Sequence, residues 1–393
     1  MSSCTAARVN THEPADVSGG SPYQMLLKKL LLAGVLVLSS YGLRGAALAE
    51  VGRSSEPASS PQYASRLSNL ILPLPPLAIP DLLLPPYNFP SFDSERLDQS
   101  LRLYLQYLRT NGKPDILIMG SSRSLQGIDP AALEEGLAAQ GYPGLKVYNF
   151  GINGATAQVM NLLVQDILQP EQLPRLIVWG DGSRAFNASR PDRTYSQIVA
   201  SPGYQRVSQG QYPIPSRTMA WEVPTFVTAN KSLAASAVAA EAPVASDLTE
   251  QGFQTVTDVY DPDRYYRQFP WVPGQFDGDY RNFSLGGAQT EATAAIARFA
   301  HRQGITLVVV NLPLTSDYLD PVRRRHETTF QRHMWQLARQ EQFMFRDLSQ
   351  QPTLMQNSYF ADPSHINQQG ARAVALHLAA DQTIPWRVVR PAP

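Results

Sequence analysis

Ile116-Leu117-Ile118-Met119-Gly120-Ser121-Ser122-Arg123-Ser124 is an apolar run that ends in a small polar turn. Four consecutive apolar residues without alternation predict a strand covered on both faces, as in a parallel sheet. Working outward, similar runs predict strands at Lys146–Phe150, Leu176–Trp179, Thr306–Asn311 and Phe343–Asp347. Between and after them, helical spacing predicts helices at Pro130–Gln140, Ala157–Ile167, Thr290–Gln303, Pro321–Glu341 and Gln368–Asp381. Ahead of the first strand, Leu97, Leu101, Leu105 and Leu108 put an amphipathic helix over Ser94 to Thr110. Strand and helix in alternation predict an α/β domain: a three-layer α/β/α sandwich around a five-stranded parallel sheet, flavodoxin-like in kind.

In such a sheet the loops after the strands gather at one edge. That edge would collect the Gly120-Ser121-Ser122 turn, the run Asn149-Phe150-Gly151-Ile152-Asn153-Gly154-Ala155-Thr156, the end of Leu176-Ile177-Val178-Trp179-Gly180-Asp181, and Asp362-Pro363-Ser364-His365. A serine, a glycine-lined turn and an Asp-x-x-His pair are the parts of nucleophilic serine chemistry. A serine hydroxyl attacks only when a base takes its proton. Of six histidines, His12 lies near the N-terminus and His301, His326, His333 and His377 fall in predicted helices. His365 alone follows a strand and precedes a helix, and Asp362 is placed to accept its ring N–H. Ser122 is the candidate nucleophile, with Ser121 and Ser124 as rivals in the same turn. Gly154 can bring a backbone amide to a developing oxyanion. Each motif also has a plainer use: the serines can cap the next segment, Asp-Pro-Ser can be a capping turn, and Asn153-Gly154 an ordinary turn.

The remaining chain sets the context. Lys28 and Lys29, the apolar Leu30–Leu38 and the small-residue site Ala47-Leu48-Ala49 have the form of a secretory signal peptide over residues 1–49, with an uncleaved membrane anchor as the alternative. Cys4, the one cysteine, lies upstream of that site, so the expected mature chain has no thiol or disulfide. This suits a bacterial periplasm or the outer face of the cytoplasmic membrane. Residues 50–93 form a proline-rich spacer, either a stiff stalk or a segment laid over the domain. The domain itself is expected over 94–393, with an aromatic-rich insertion at 187–285 that either packs a subdomain or forms a lid. With 33 basic and 33 acidic side chains in 393 residues, no net field favours nucleic acid. No phosphate loop is present, and His326, Glu327 and His333 are expected as helix-surface residues rather than metal ligands, so neither cofactor nor metal is expected.

From Pro114 to Asp381, the insertion aside, the chain resembles the SGNH (GDSL-like) hydrolase superfamily. Gly120-Ser121-Ser122 stands where that family has Gly-Asp-Ser, Gly154 falls in its glycine block, and Asp362-x-x-His365 precedes the last helix. The Gly-Ser-Ser turn is similar to that of exported relatives of the alginate O-acetylation and teichoic-acid D-alanylation proteins. The resemblance implies a Ser122–His365–Asp362 triad and an oxyanion hole built from Ser122 and Gly154. The third block departs from the family: Gly180-Asp181-Gly182-Ser183-Arg184 lacks its asparagine. Ser183, Asn187, Arg184 or Asn153 is left to stand in. The implied activity is an exported serine-dependent acyl hydrolase or O-acyltransferase for acylated glycans or cell-envelope polymers, with a membrane acyltransferase as a candidate partner. The altered third block keeps open a non-catalytic scaffold that binds polysaccharide or an assembly partner.

Overall fold

The computed structural model divides into two compact units, Met1–Ala78 and Ile79–Pro393. The structure describes residues 87–215, 247–271 and 278–389, all in the second unit. The expected signal segment, most of the proline-rich spacer and the alanine-rich centre of the insertion lie outside the described residues.

Helix α1 (Glu95–Asn111) starts where Ser94 accepts a hydrogen bond from the Leu97 amide, and it buries Leu97, Leu101, Tyr104 and Leu105. Five strands follow: β1 (Ile116–Gly120), β2 (Val147–Gly151), β3 (Leu176–Asp181), β4 (Thr306–Asn311) and β5 (Met344–Asp347). All pair in parallel in the order β2-β1-β3-β4-β5. The expected α/β architecture is therefore present, with a single five-stranded parallel sheet. Because β2 and β3 flank β1, successive connections run in opposite directions from it. The crevice past the ends of β1 and β3 is the switch point where open α/β sheets bind ligands.

Alternate residues of the buried strands feed two cores. Leu117, Met119, Ile177, Trp179, Leu307 and Val309 face one side. Ile116, Ile118, Leu176, Val178, Val308 and Val310 face the other. A short helix α2 (Ser122–Gly127) follows β1, and α3 (Pro130–Ala139) packs on the second side. After β2, α4 (Ala157–Leu162) runs into a π-helical turn at Leu163–Ile167.

The described parts of the stretch 187–285 are built into both cores. Helices α5 (Arg193–Ala200) and α6 (Pro202–Ser208) place Ile198 and Val207 in the first core, while Phe253 and Tyr260 enter the second. The Gly203 amide donates to the Ser91 carbonyl at 2.8 Å, so the end of the spacer, with fully buried Phe92, is laid against the domain. Helix α7 (Pro262–Gln268) buries none of its residues. Helices α8 (Ala288–Arg302) and α9 (Pro321–Glu341) join the first core. The last helix, α10 (Gln368–Ala380), joins the second. Among the described residues no helix is long and apolar enough to cross a membrane.

Candidate active site

The turn after β1 is shaped by a carboxylate on the neighbouring strand. Gly120 has φ +142°, and a Cβ there would meet the Gly180 carbonyl at 2.1 Å, so only glycine lets the two strand ends close this tightly. Ser121 is the N-cap of α2, accepting from the Arg123 amide at 3.3 Å. Its own amide and hydroxyl donate to the two oxygens of Asp181 at 3.0 and 2.9 Å. The Gly182 amide donates to Asp181 at 3.1 Å. Capping is thus done by Ser121, with its hydroxyl held by Asp181. Ser124 is fully buried. Ser122, the first residue of α2, is the serine that meets a base: its Oγ lies 3.0 Å from His365 Nε2.

His365 is held from behind. Its Nδ1 is 2.7 Å from Asp362 Oδ2, while Asp362 Oδ1 accepts the Ser364 and His365 amides at 2.8 Å each. Burial works to raise the Asp362 pKa. The hydrogen bond and charge of His365 and the two amides outweigh it and hold the carboxyl at about 2. An ionised Asp362 accepts a hydrogen bond from Nδ1–H, which leaves the Nε2 lone pair to accept from the Ser122 hydroxyl. The Ala361 amide donates to the His365 carbonyl at 2.8 Å and fixes the loop that carries the pair.

A cavity of about 200 Å³ opens beside Ser122, bordered by Gly154, Gly182, Arg184, Arg190 and Asp279. Gly154 has φ +73°, the left-handed region that favours glycine. Ser122 is the first residue of α2, a position whose backbone amide has no acceptor within its own helix. Arg184 lines the cavity, donates to the Ser364 hydroxyl at 3.2 Å and lies 3.5 Å from Asp279. The other third-block candidates are engaged elsewhere. Ser183 donates its hydroxyl to Glu327. Asn187 donates to the Asp279 carbonyl at 2.8 Å and accepts the Ser189 and Ser284 amides. Asn153 is exposed and does not border the cavity.

Beneath the turn lies a polar network that sequence reasoning missed. Glu327, expected on the surface of α9, is fully buried and accepts from Ser183, from Tyr280 at 3.2 Å and from Asn311 at 3.2 Å. The correction follows from helical phase: the same face of α9 carries the buried Phe330 and Met334. Burial raises the Glu327 and Asp181 pKa values, against their hydrogen bonds and the nearby Arg123 charge. Arg123 is itself buried and donates to the Leu312 and Pro313 carbonyls at 2.9 and 2.7 Å. Among the described residues no group of three or more His, Cys, Asp or Glu side chains is placed to hold a metal.

A second cavity, of about 410 Å³, also borders the loop that carries Asp362 and His365. Tyr265, Tyr266, Phe269 and Trp271 form its aromatic wall, and Arg184, Asp362 and His365 border it. Trp221 and Phe276, two further aromatics of the 187–285 stretch, lie outside the described residues.

No family model matches this chain, and no curated protein matches it. Two solved structures are similar over much of its length. One, titled "Crystal Structure of TesA", is 15% identical, with a TM-score of 0.32, over 69% of this chain and 98% of its own. The other, a putative acylhydrolase from Bacteroides fragilis, is 11% identical, with a TM-score of 0.33, over 73% of this chain and 96% of its own.

Proposed function

We propose that this chain is a serine-dependent acyl hydrolase or O-acyltransferase that works through an acyl-enzyme. One observation carries the reading: a continuous Ser122–His365–Asp362 relay, with links of 3.0 and 2.7 Å, at the switch-point edge of a parallel sheet. Ser122 Oγ attacks the ester carbonyl as His365 Nε2 takes its proton, and Asp362 stabilises the imidazolium and holds its orientation. The oxyanion is received by the Ser122 and Gly154 amides, with the Arg184 charge nearby. His365 then returns the proton to the departing alcohol. Water or a second hydroxyl clears the acyl group by the same steps in reverse. Asp181 is a positioning residue: it holds Ser121, and so the direction in which Ser122 points.

The resemblance to exported SGNH proteins supports acylated glycans or envelope polymers as substrates, a site of action outside the cytoplasmic membrane and a membrane acyltransferase as partner. One observation favours the non-catalytic scaffold instead. Among the described residues no asparagine borders the cavity beside Ser122, and Ser183 and Asn187 are both spent on other partners. Turnover of a short-chain aryl ester separates the two. The catalytic reading expects hydrolysis that is lost in Ser122→Ala with circular dichroism unchanged. Absence of turnover in the wild type, also with acetylated oligosaccharides, makes the protein a scaffold.

A further inference from the structure

We infer that the two cavities divide the ester between them, the smaller one taking a short acyl group and the aromatic one taking a ring-bearing alcohol such as a sugar. The inference rests on the acyl-enzyme reading and names its substrate class. Both cavities border His365, but only the smaller one contains Ser122, and the aromatic wall lies only in the larger.

The chemistry orients the ester. The Ser122 Oγ–carbon bond forms while the bond from carbon to the alcohol oxygen breaks, and the proton taken from Ser122 passes through His365 Nε2 to that oxygen. The departing oxygen must therefore lie against His365, on the border of the aromatic cavity. The carbonyl carbon must lie against Ser122, which leaves the acyl substituent on the Gly154 side. At about 200 Å³, that side is below the roughly 300–1,000 Å³ of ordinary ligand pockets and must also hold the oxyanion. Its walls are polar. Asp279 accepts Arg190 at 3.2 Å and lies 3.5 Å from Arg184, while Asp181 and Arg123 form the floor. A long alkyl chain would meet charged groups there rather than apolar surface.

The alcohol side is the converse. Phe269 and Trp271 are 52% and 48% exposed beside the cavity, in a domain where Trp179, Tyr104 and Tyr148 are fully buried. Rings left half in solvent at the mouth of a cavity offer flat apolar faces, and the C–H face of a sugar ring packs on such a surface. Arg184 reaches both cavities and supplies donors for hydroxyl oxygens between them.

A chain-length series tests the acyl half. With p-nitrophenyl acetate, butyrate, hexanoate and octanoate, kcat/KM should fall by at least about tenfold from first to last. A rise with length, still dependent on Ser122, overturns the small-acyl assignment and leaves the hydrolase reading intact. The alcohol half is tested by comparing an O-acetylated methyl glycoside with ethyl acetate. Trp271→Ala and Phe269→Ala should each lower the ratio of kcat/KM for the glycoside to that for ethyl acetate by about tenfold, through KM. Trp271→Leu keeps the apolar bulk without the ring face and should show most of the same loss. Equal losses on both substrates make the aromatics structural and overturn the alcohol assignment. Absence of Ser122-dependent turnover of any ester overturns both the reading and the inference.

Discussion

Ser122 and Ser183 occupy corresponding places in the fold, each just past the end of one of two adjacent strands, and each hydroxyl meets an ionisable partner. Ser122 faces His365, whose side chain is 28% exposed and opens onto two cavities. Ser183 faces Glu327, which is sealed in the core with Tyr280 and Asn311. Burial pushes Glu327 toward its neutral form, and each of its oxygens already accepts hydrogen bonds. Such a group holds a helix to a strand end but has no route to substrate. Asp362 is pushed the opposite way and stays charged, so that His365 keeps a lone pair for the serine. Pairing a hydroxyl with an ionisable group is thus common to both places, while the direction of the pKa shift and access to open space separate a candidate site from a structural clamp.

The sharpest break in this comparison is catalytic. Ser122→Ala and His365→Ala should each lower kcat by about 10⁵–10⁶-fold, without adding in the double variant, because the two act as one unit. Asp362→Asn should retain about 10–100 times more activity than either. Steady-state kinetics on an aryl ester, with circular dichroism as the fold control, gives all four values.

Asp181 comes next. Asp181→Asn puts an amide opposite the Ser121 N–H and hydroxyl, and the turn shifts. The expected loss is about 100-fold in kcat with KM little changed, since a displaced nucleophile is costly after binding. A loss confined to KM, or to the melting temperature, would make Asp181 a structural residue only.

Ser183 should behave in the reverse manner. Ser183→Ala leaves a buried Glu327 short of one donor and should cost about 1–3 kcal/mol of stability in urea unfolding, with kcat changed by less than about tenfold. A loss of 10²–10³-fold in kcat at full stability would instead mark an oxyanion donor.

Much of this was legible because its signals are local. Helix α9 keeps its expected bounds because Asp320 accepts the Val322 and Arg323 amides at 2.8 Å each and Pro321 opens the first turn. The apolar strands declared a sheet covered on both faces, and Asp362 and His365 are three residues apart on one loop. The rest depended on distant partners. Asp181 lies sixty residues from the Ser121 it holds, and nothing in either segment names the other. Glu327 looked exposed between two histidines, and only the packing of α9 against the sheet turns it inward. Helices α5 and α6 were hidden in a stretch that read only as an aromatic-rich insertion, and their burial comes from docking on the first core.

The smallest expected effect concerns acid stability. Folded Asp362 titrates at about 2, below the roughly 3.9 of an unfolded aspartate, so the folded state binds fewer protons between these values. Its contribution is present above the unfolded pKa and is lost as pH falls through about 2. Asp181 and Glu327 act oppositely: their raised values make the folded state hold protons longer, so their contribution declines as pH rises. The difference in urea midpoint between wild type and Asp362→Asn should therefore be full near neutrality and shrink toward zero as pH falls to about 2. A difference that does not vary with pH would mean that Asp362 is not held ionised by its partners.

The most direct test of the site is covalent. A fluorophosphonate reacts only with a serine that a base has activated. Peptide mass analysis of the labelled full-length protein should find one modification, on Ser122, absent from Ser122→Ala and His365→Ala and retained in Ser183→Ala. A label on Ser121, Ser124 or Ser183, or no label on the folded wild type, would contradict the account.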